Sequence, residues 1–171
     1  MKYFVKTVNI LLIISSVGLL FWLVNLNFPR SRQIDINVEF GKDQPMLTRL
    51  GPDSRVKIEN GQEAILADPV YFNLRSLPWF KKLRIKIVYQ ESGRILNGIG
   101  PQMSAGWQYE ISKPIASSTR NDGLTEAYFD FDLGKIYQIN NVRRFAISSS
   151  LIAGADNGQI NIESLNITLY Q

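Results

Sequence analysis

The run Ile160-Asn-Ile-Glu-Ser-Leu-Asn-Ile-Thr-Leu169 decides how this chain is read. Ile160 and Ile162 alternate with polar neighbours, and so do Leu165, Ile167 and Leu169, but the two sets are out of phase. A period of two is the mark of a half-buried β-strand, since successive side chains point to opposite faces. A phase slip between Ile162 and Leu165 predicts a β-bulge, where one extra residue lets both apolar sets face the same core.

The same alternation recurs upstream. Ile34, Ile36, Val38 and Phe40 alternate with Asp35, Asn37 and Glu39. Arg55-Val-Lys-Ile-Glu59 stops at Asn60-Gly61, a tight-turn signal, and Glu63-Ala-Ile-Leu66 resumes beyond it as the second arm of a hairpin. Val70-Tyr-Phe-Asn-Leu74 follows Asp68-Pro69. Leu83, Ile85, Ile87 and Tyr89 form another strand, which Glu91-Ser-Gly93 turns into Arg94-Ile-Leu-Asn97. Trp107, Tyr109 and Ile111 share one face, Phe129, Phe131 and Leu133 another, and Phe145-Ala-Ile-Ser148 is a further short strand. Ala116 to Gly123 reads as a polar loop, and residues 136–144 hold at most a turn or two of helix. Short strands with turn signals every dozen or so residues predict two stacked antiparallel sheets, a jelly-roll-like β-sandwich over 34–171.

The amino-terminal end is different. Residues 7–29 carry no charge and contain Ile10-Leu-Leu-Ile-Ile14 and Val17-Gly-Leu-Leu-Phe-Trp-Leu-Val24. As a helix at about 1.5 Å per residue, this segment would cover about 30–35 Å, enough for a hydrocarbon core. A cleavable signal peptide is the competing reading, but the apolar core is long and lacks a small-x-small exit. The expectation is one transmembrane helix over 7–29, a signal anchor, with a short cytoplasmic tail (1–6) and a linker (30–33). That places the protein in the cell membrane, single-pass, with an extracytoplasmic carboxyl-terminal domain.

Composition narrows the chemistry. The 19 Lys and Arg against 15 Asp and Glu give a net charge of +4, without the concentrated field of a nucleic-acid binder, so no nucleic-acid partner is expected. The chain has no cysteine and no histidine. Disulfides, thiol catalysis and a Ser-His-Asp triad are thereby excluded, and the expectation is a protein that is not an enzyme.

Asp68-Pro-Val-Tyr-Phe-Asn-Leu-Arg75 followed by Trp79-Phe-Lys-Lys-Leu-Arg-Ile-Lys-Ile-Val-Tyr89 resembles uncharacterised bacterial membrane-anchored proteins. Their exported part looks like a galactose-binding-type jelly roll. Arg144-Phe-Ala-Ile-Ser148 and Asn157-Gly-Gln-Ile-Asn-Ile-Glu-Ser-Leu-Asn-Ile-Thr-Leu169 are similar to the closing strands of that group and of some carbohydrate-binding modules. The resemblance implies a sandwich that binds carbohydrate or a cell-envelope polymer, with a structural calcium ion as the one group the fold often carries.

Several residues are candidates for such a role, each with a plainer reading beside it. Tyr71, Phe72, Trp79, Phe80, Trp107 and Tyr109 form an aromatic set suited to flat sugar faces, or to the core. Trp107 and Tyr109, sharing parity with Ile111, are assigned to the core, and Trp79, beside Pro78, is the expected exposed aromatic. Lys81, Lys82, Arg84 and Lys86, with Arg75 and Arg94 nearby, are either a contact for anionic polymer or lipid headgroups, or a solvated strand face. Trp79, Arg75 and Lys82 are accordingly the candidate ligand-binding residues. Asp156 and Asn157, with Asn121 and Asp122, are candidate calcium ligands or ordinary turn residues. Asp130 and Asp132 are a carboxylate pair on one strand face, spaced for a glycoside hydrolase or simply solvated. An assembly role, contacting another envelope protein, is the alternative function.

Overall fold

The structure is a computed structural model. It describes residues 2–27 (side chains from 6 to 22), 32–59 and 61–171. The chain forms two compact units, Met1–Ile34 and Asp35–Gln171.

The first unit contains the helix α1 (Lys2–Asn27). Among the described residues no helix is long and apolar enough to cross a membrane, which overturns the expected transmembrane helix over 7–29. The apolar run folds as part of this helix, as its composition predicts. The expected helix stop at Pro29 and the first half of the expected linker, 30–31, fall outside the described residues, and Gln33 at the linker's end already belongs to a strand.

The second unit is a β-sandwich. One sheet contains β1 (Gln33–Asn37), β2 (Val56–Glu59), β3 (Gln62–Ile65), β5 (Lys82–Ser92), β7 (Ala116–Thr119), β8 (Thr125–Asp132) and β10 (Gln159–Tyr170). Its order is β2-β3-β10-β5-β8-β7, with β1 also on β10. The other sheet has the order β4-β9-β6, from β4 (Val70–Arg75), β9 (Val142–Leu151) and β6 (Arg94–Pro101).

β10 carries the bulge that its phase slip predicts. Ile162 faces Tyr89, yet Ser164 faces Val88, so Glu163 is the extra residue, and it is exposed. Ile160, Ile162, Leu165, Ile167 and Leu169 are all buried as a result. The 56–65 hairpin pairs antiparallel, with Gly61 at φ 79° in its turn; Asn60 lies outside the described residues. β7 was not expected. Its Ala-Ser-Ser-Thr residues are all exposed, so no alternation marks it, and it is held by pairing with β8.

Between the sheets the core is aromatic and aliphatic. Phe72 and Phe145, register partners on β4 and β9, stack with ring centroids 5.3 Å apart, and Phe131 meets Phe145 edge-on at 5.4 Å. Ile85, Ile87, Phe129 and Ile167 approach from the other sheet, essentially inaccessible to water.

One of the buried polar groups is a carboxyl. Glu63 on β3 is 1% exposed, and its Oε2 has no hydrogen-bond partner. Burial pushes its pKa up to about 7, against the pull of Arg49. Because the folded state holds this proton more tightly than the unfolded chain, Glu63 favours folding fully below about pH 4.5, and that contribution is lost as pH rises through about 7. Denaturant midpoints measured from pH 4.5 to 8 are expected to fall across this window, and Glu63→Gln is expected to flatten the decline. An equally steep decline in the variant would contradict the assignment.

Candidate functional site: an aromatic and cationic platform on the β4-β9-β6 sheet

Strand parity fixes what the outer face of this sheet presents. On β4, Val70, Phe72 and Leu74 point inward, leaving Tyr71, Asn73 and Arg75 outside. On β9, Phe145 and Ile147 are inside, which puts Arg144 and Ala146 outside. Register then aligns them in rows. Tyr71 lies opposite Ala146, which lies opposite Gly100. Asn73 lies opposite Arg144, whose carbonyl accepts from the Gln102 N–H at 2.8 Å.

Two segments extend the sheet. Gly51 pairs with Tyr71 on the β4 side, and the Thr48 N–H donates to the Asn73 carbonyl at 3.0 Å. On the β6 side, Ser112 pairs with Ile99 and Tyr109 with Gln102. This second segment crosses so closely that a Cβ on Gly100 would stand 2.0 Å from the Glu110 carbonyl oxygen. Only glycine fits there. The small floor of Ala146 and Gly100 leaves room above it for aromatic rings.

Those rings are Tyr71, Tyr109 and Trp107. Tyr71 lies 5.4 Å from Tyr109 and 5.8 Å from Trp107, centroid to centroid, both at tilted angles. Trp107 is 70% exposed. Its face is covered on one side by Arg144, whose guanidinium carbon sits 4.9 Å from the ring centroid. Arg144 Nε donates to Asn73 Oδ1 at 3.0 Å, which fixes the plane of the fork. Burial pushes the Tyr109 phenol pKa up, and Arg144 opposes that shift.

The loop that carries Trp107 is braced from below. Gln102 Nε2 donates to the carbonyls of Ser104 and Gly106, at 2.7 and 2.8 Å. Ser104 Oγ bonds Gln108 Oε1 at 3.0 Å, and the Met103 N–H donates to the Gln108 carbonyl at 2.9 Å. Trp107 therefore projects from a hydrogen-bonded turn. Two depressions meet at Trp107, Asn73 and Arg144. One, of about 400 Å³, includes Thr48, Arg49 and Tyr71. The other, of about 500 Å³, includes Arg75, Gln102 and Tyr137.

The assignment of Trp107 and Tyr109 to the core is thus corrected. Their shared parity with Ile111 is real, but the shared face looks outward, and Ile111 itself is 37% exposed. Arg75 lines the second depression with Trp107 and Arg144. Trp79 is 44% exposed in the turn between β4 and β5, with its ring 6.3 Å from Phe80. Lys82 belongs to the other sheet, in a depression with Arg84, Asp130, Asp132 and Tyr170. Arg75 and Lys82 are therefore not brought together.

The remaining candidates are committed elsewhere. Arg84 grips Asp130 through two bonds of 2.7 Å, and this holds the Asp130 carboxyl below the usual carboxylate range. Asp132 accepts from the Gly134 N–H at 3.0 Å, capping a short 3-10 turn (Leu133–Lys135). A lowered carboxyl pKa at Asp130 is the opposite of what a general acid needs. Lys86 pairs with Glu126 at 2.9 Å. Asp122 accepts from the Leu124 N–H and pairs with Arg120, which is turn chemistry. Asp156 and Asn157 line a depression of about 460 Å³ beside Arg94. Among the described residues no group of three or more acidic side chains is gathered to hold a metal ion.

No family model matches this chain, and no curated protein matches it. Among solved structures, the chain is similar to TmCBM27, a carbohydrate-binding module studied for specific mannan recognition. The two share 12% identity and a TM-score of 0.42, over 82% of this chain and 100% of that one. It is also similar to a CBM4 structure, at 12% identity and a TM-score of 0.40, over 82% of this chain and 90% of that one.

Gly100 gives the site a structural test. Gly100→Ala is expected to push the 109–112 segment off β6 and to destabilise the domain by about 1–3 kcal/mol, the usual range for overpacking. Denaturant unfolding checks the energy. Unchanged hydrogen exchange at the Ser112 amide would show that the segment had not moved.

Proposed function

We propose that the Asp35–Gln171 unit is a carbohydrate-binding module that engages sugar rings on the outer face of the β4-β9-β6 sheet, by binding and not by catalysis. The observation that carries this reading is Trp107, mostly exposed on a braced turn, with Tyr71 and Arg144 against it. A large aromatic ring left in water forgoes about 1.5–3 kcal/mol of burial, so a fold that holds one rigidly outside has a use for it. Sugar rings present flat C–H faces that pack on such a plane and hydroxyls at their rims. Asn73, Gln102 and Thr48 surround the rings with amide and hydroxyl groups. The depressions are of the size that holds small ligands, and they meet along Trp107, as a chain of linked sugars requires. Neither is lined by a carboxyl group.

The test is retention of the full chain on a panel of polysaccharides, with titration of soluble oligosaccharides. Trp107→Ala is expected to weaken binding about tenfold or more, equivalent to about 1.4 kcal/mol. Trp79→Ala, away from the platform, is expected to leave it within about twofold. Wild-type affinity in Trp107→Ala, with the fold intact by circular dichroism, would overturn the reading.

A further inference from the structure

The platform differs from the centre of the β5-β8 face in how its charges are balanced. On the outer face of the larger sheet, cations are matched across strands: Arg84 with Asp130, and Lys86 with Glu126. Arg49, at the edge of the first depression, is matched by Asp53 at 3.1 Å. Arg75 and Arg144 are different. Among the described residues neither forms an ion pair, and no Asp or Glu lines either depression.

We propose that the ligand is an acidic polysaccharide, whose sugar carboxylates are met by Arg144 and Arg75 while its rings pack on Trp107 and Tyr71. The proposal rests on the carbohydrate reading above and names the class of sugar. A guanidinium presents a planar fork that takes a carboxylate through two parallel bonds, but only when its plane is set. Arg144 meets that condition: Asn73 holds its Nε and the Trp107 face holds its flat side. Such a guanidinium loses little side-chain freedom when an anion arrives. Arg75 stands two residues beyond Asn73 on the same strand face, about 7 Å along β4. The two cations thus follow the strand direction, as carboxylates repeating along one chain would. Charge complementarity selects the occupant: a neutral glycan could offer the arginines hydroxyl acceptors but would leave both charges unmatched.

Matched backbones test this. Full-length protein is titrated with polygalacturonate and with its methyl ester, which share every ring and differ in charge. Alginate, a neutral mannan and single-stranded DNA are run alongside at low and at high salt. The expected result is binding to polygalacturonate or alginate, about tenfold or more weaker for the ester, and weakening with salt. Arg144→Gln and Arg75→Gln are each expected to narrow the gap between acid and ester, while Lys57→Gln, on the exposed edge strand β2 of the other sheet, leaves it unchanged. Equal binding of acid and ester, or preference for mannan with loss in Trp107→Ala, would overturn the acidic ligand and leave the carbohydrate reading standing. Binding of DNA as tight as that of the polyuronates would overturn it as unspecific charge attraction. Binding to no glycan would sink both.

Discussion

The stack of Phe72 on Phe145 holds the two central strands of the smaller sheet in one register, and the outer face inherits its order from that pairing. With these rings opposed inside, Asn73 must face Arg144 and Tyr71 must face Ala146 outside. A slip of one residue would turn Arg144 into the core and Phe145 into water, reversing every side chain on the strand. The inner contact is thus what makes the outer hydrogen bond between Arg144 and Asn73 possible, although they stand far apart in the chain. β9 shows the same logic in two adjacent arginines. Arg143 points inward, 4% exposed, with its guanidinium bound to Ser76 Oγ at 2.5 Å and to the Leu133 carbonyl at 3.3 Å. Desolvation lowers its pKa. Its neighbour stays at the surface, where a charge costs little.

Parity explains both what could be read in the amino-acid sequence and what could not. The β10 bulge was legible because two apolar sets out of phase can reach one core only through an added residue, and Glu163 is that residue. Most strands were legible for the same reason. β7 was not, because a strand exposed on both faces has no apolar phase to display. The amino-terminal apolar run was legible as a helix; its reading as a membrane span did not stand. The site was half legible. Tyr71, Trp107 and Tyr109 stood out as an aromatic set, and their shared faces followed from spacing. Period two says which residues look the same way, but not which way they look. The direction was set by the 109–112 segment crossing Gly98 and Gly100, a contact between parts of the chain that local pattern does not encode.

Gly100 and Ala146 deserve weight equal to that of the aromatics. Large residues in this row would fill the space over β6 and β9 themselves, and the strand would present a flat apolar surface. With small ones, Tyr109 settles low, half-buried, and Tyr71 and Trp107 lean towards it at tilted angles. Tilted contacts between rings are favourable, because the edge of one meets the electron-rich face of another. Gln102 serves the loop as Gly100 serves the strand. Its two bonds to loop carbonyls replace partners that water would otherwise supply. Both residues limit the positions open to Trp107, so less freedom is lost when a partner packs on it.

The two sheets finally divide the labour of solubility and recognition. β5 and β8 set Lys and Arg directly across from Asp and Glu, with Arg84 opposite Asp130 and Lys82 opposite Asp132 in register. Exposed pairs of this kind add little stability. They leave the face polar, locally neutral and unattractive to other strands, which is how an open sheet avoids association. The outward positions of β4 and β9 carry no acid at all, only Tyr71, Asn73, Arg75, Val142, Arg144, Ala146 and serines. Two cations without counterions on a face that also exposes an indole would be a liability if solubility were the only demand. The same sequence meets that demand on the other sheet by pairing Arg84 with Asp130 and Lys86 with Glu126. Its departure from that solution here, in charge and in apolar exposure together, marks the β4-β9-β6 face as the surface shaped by something outside the chain.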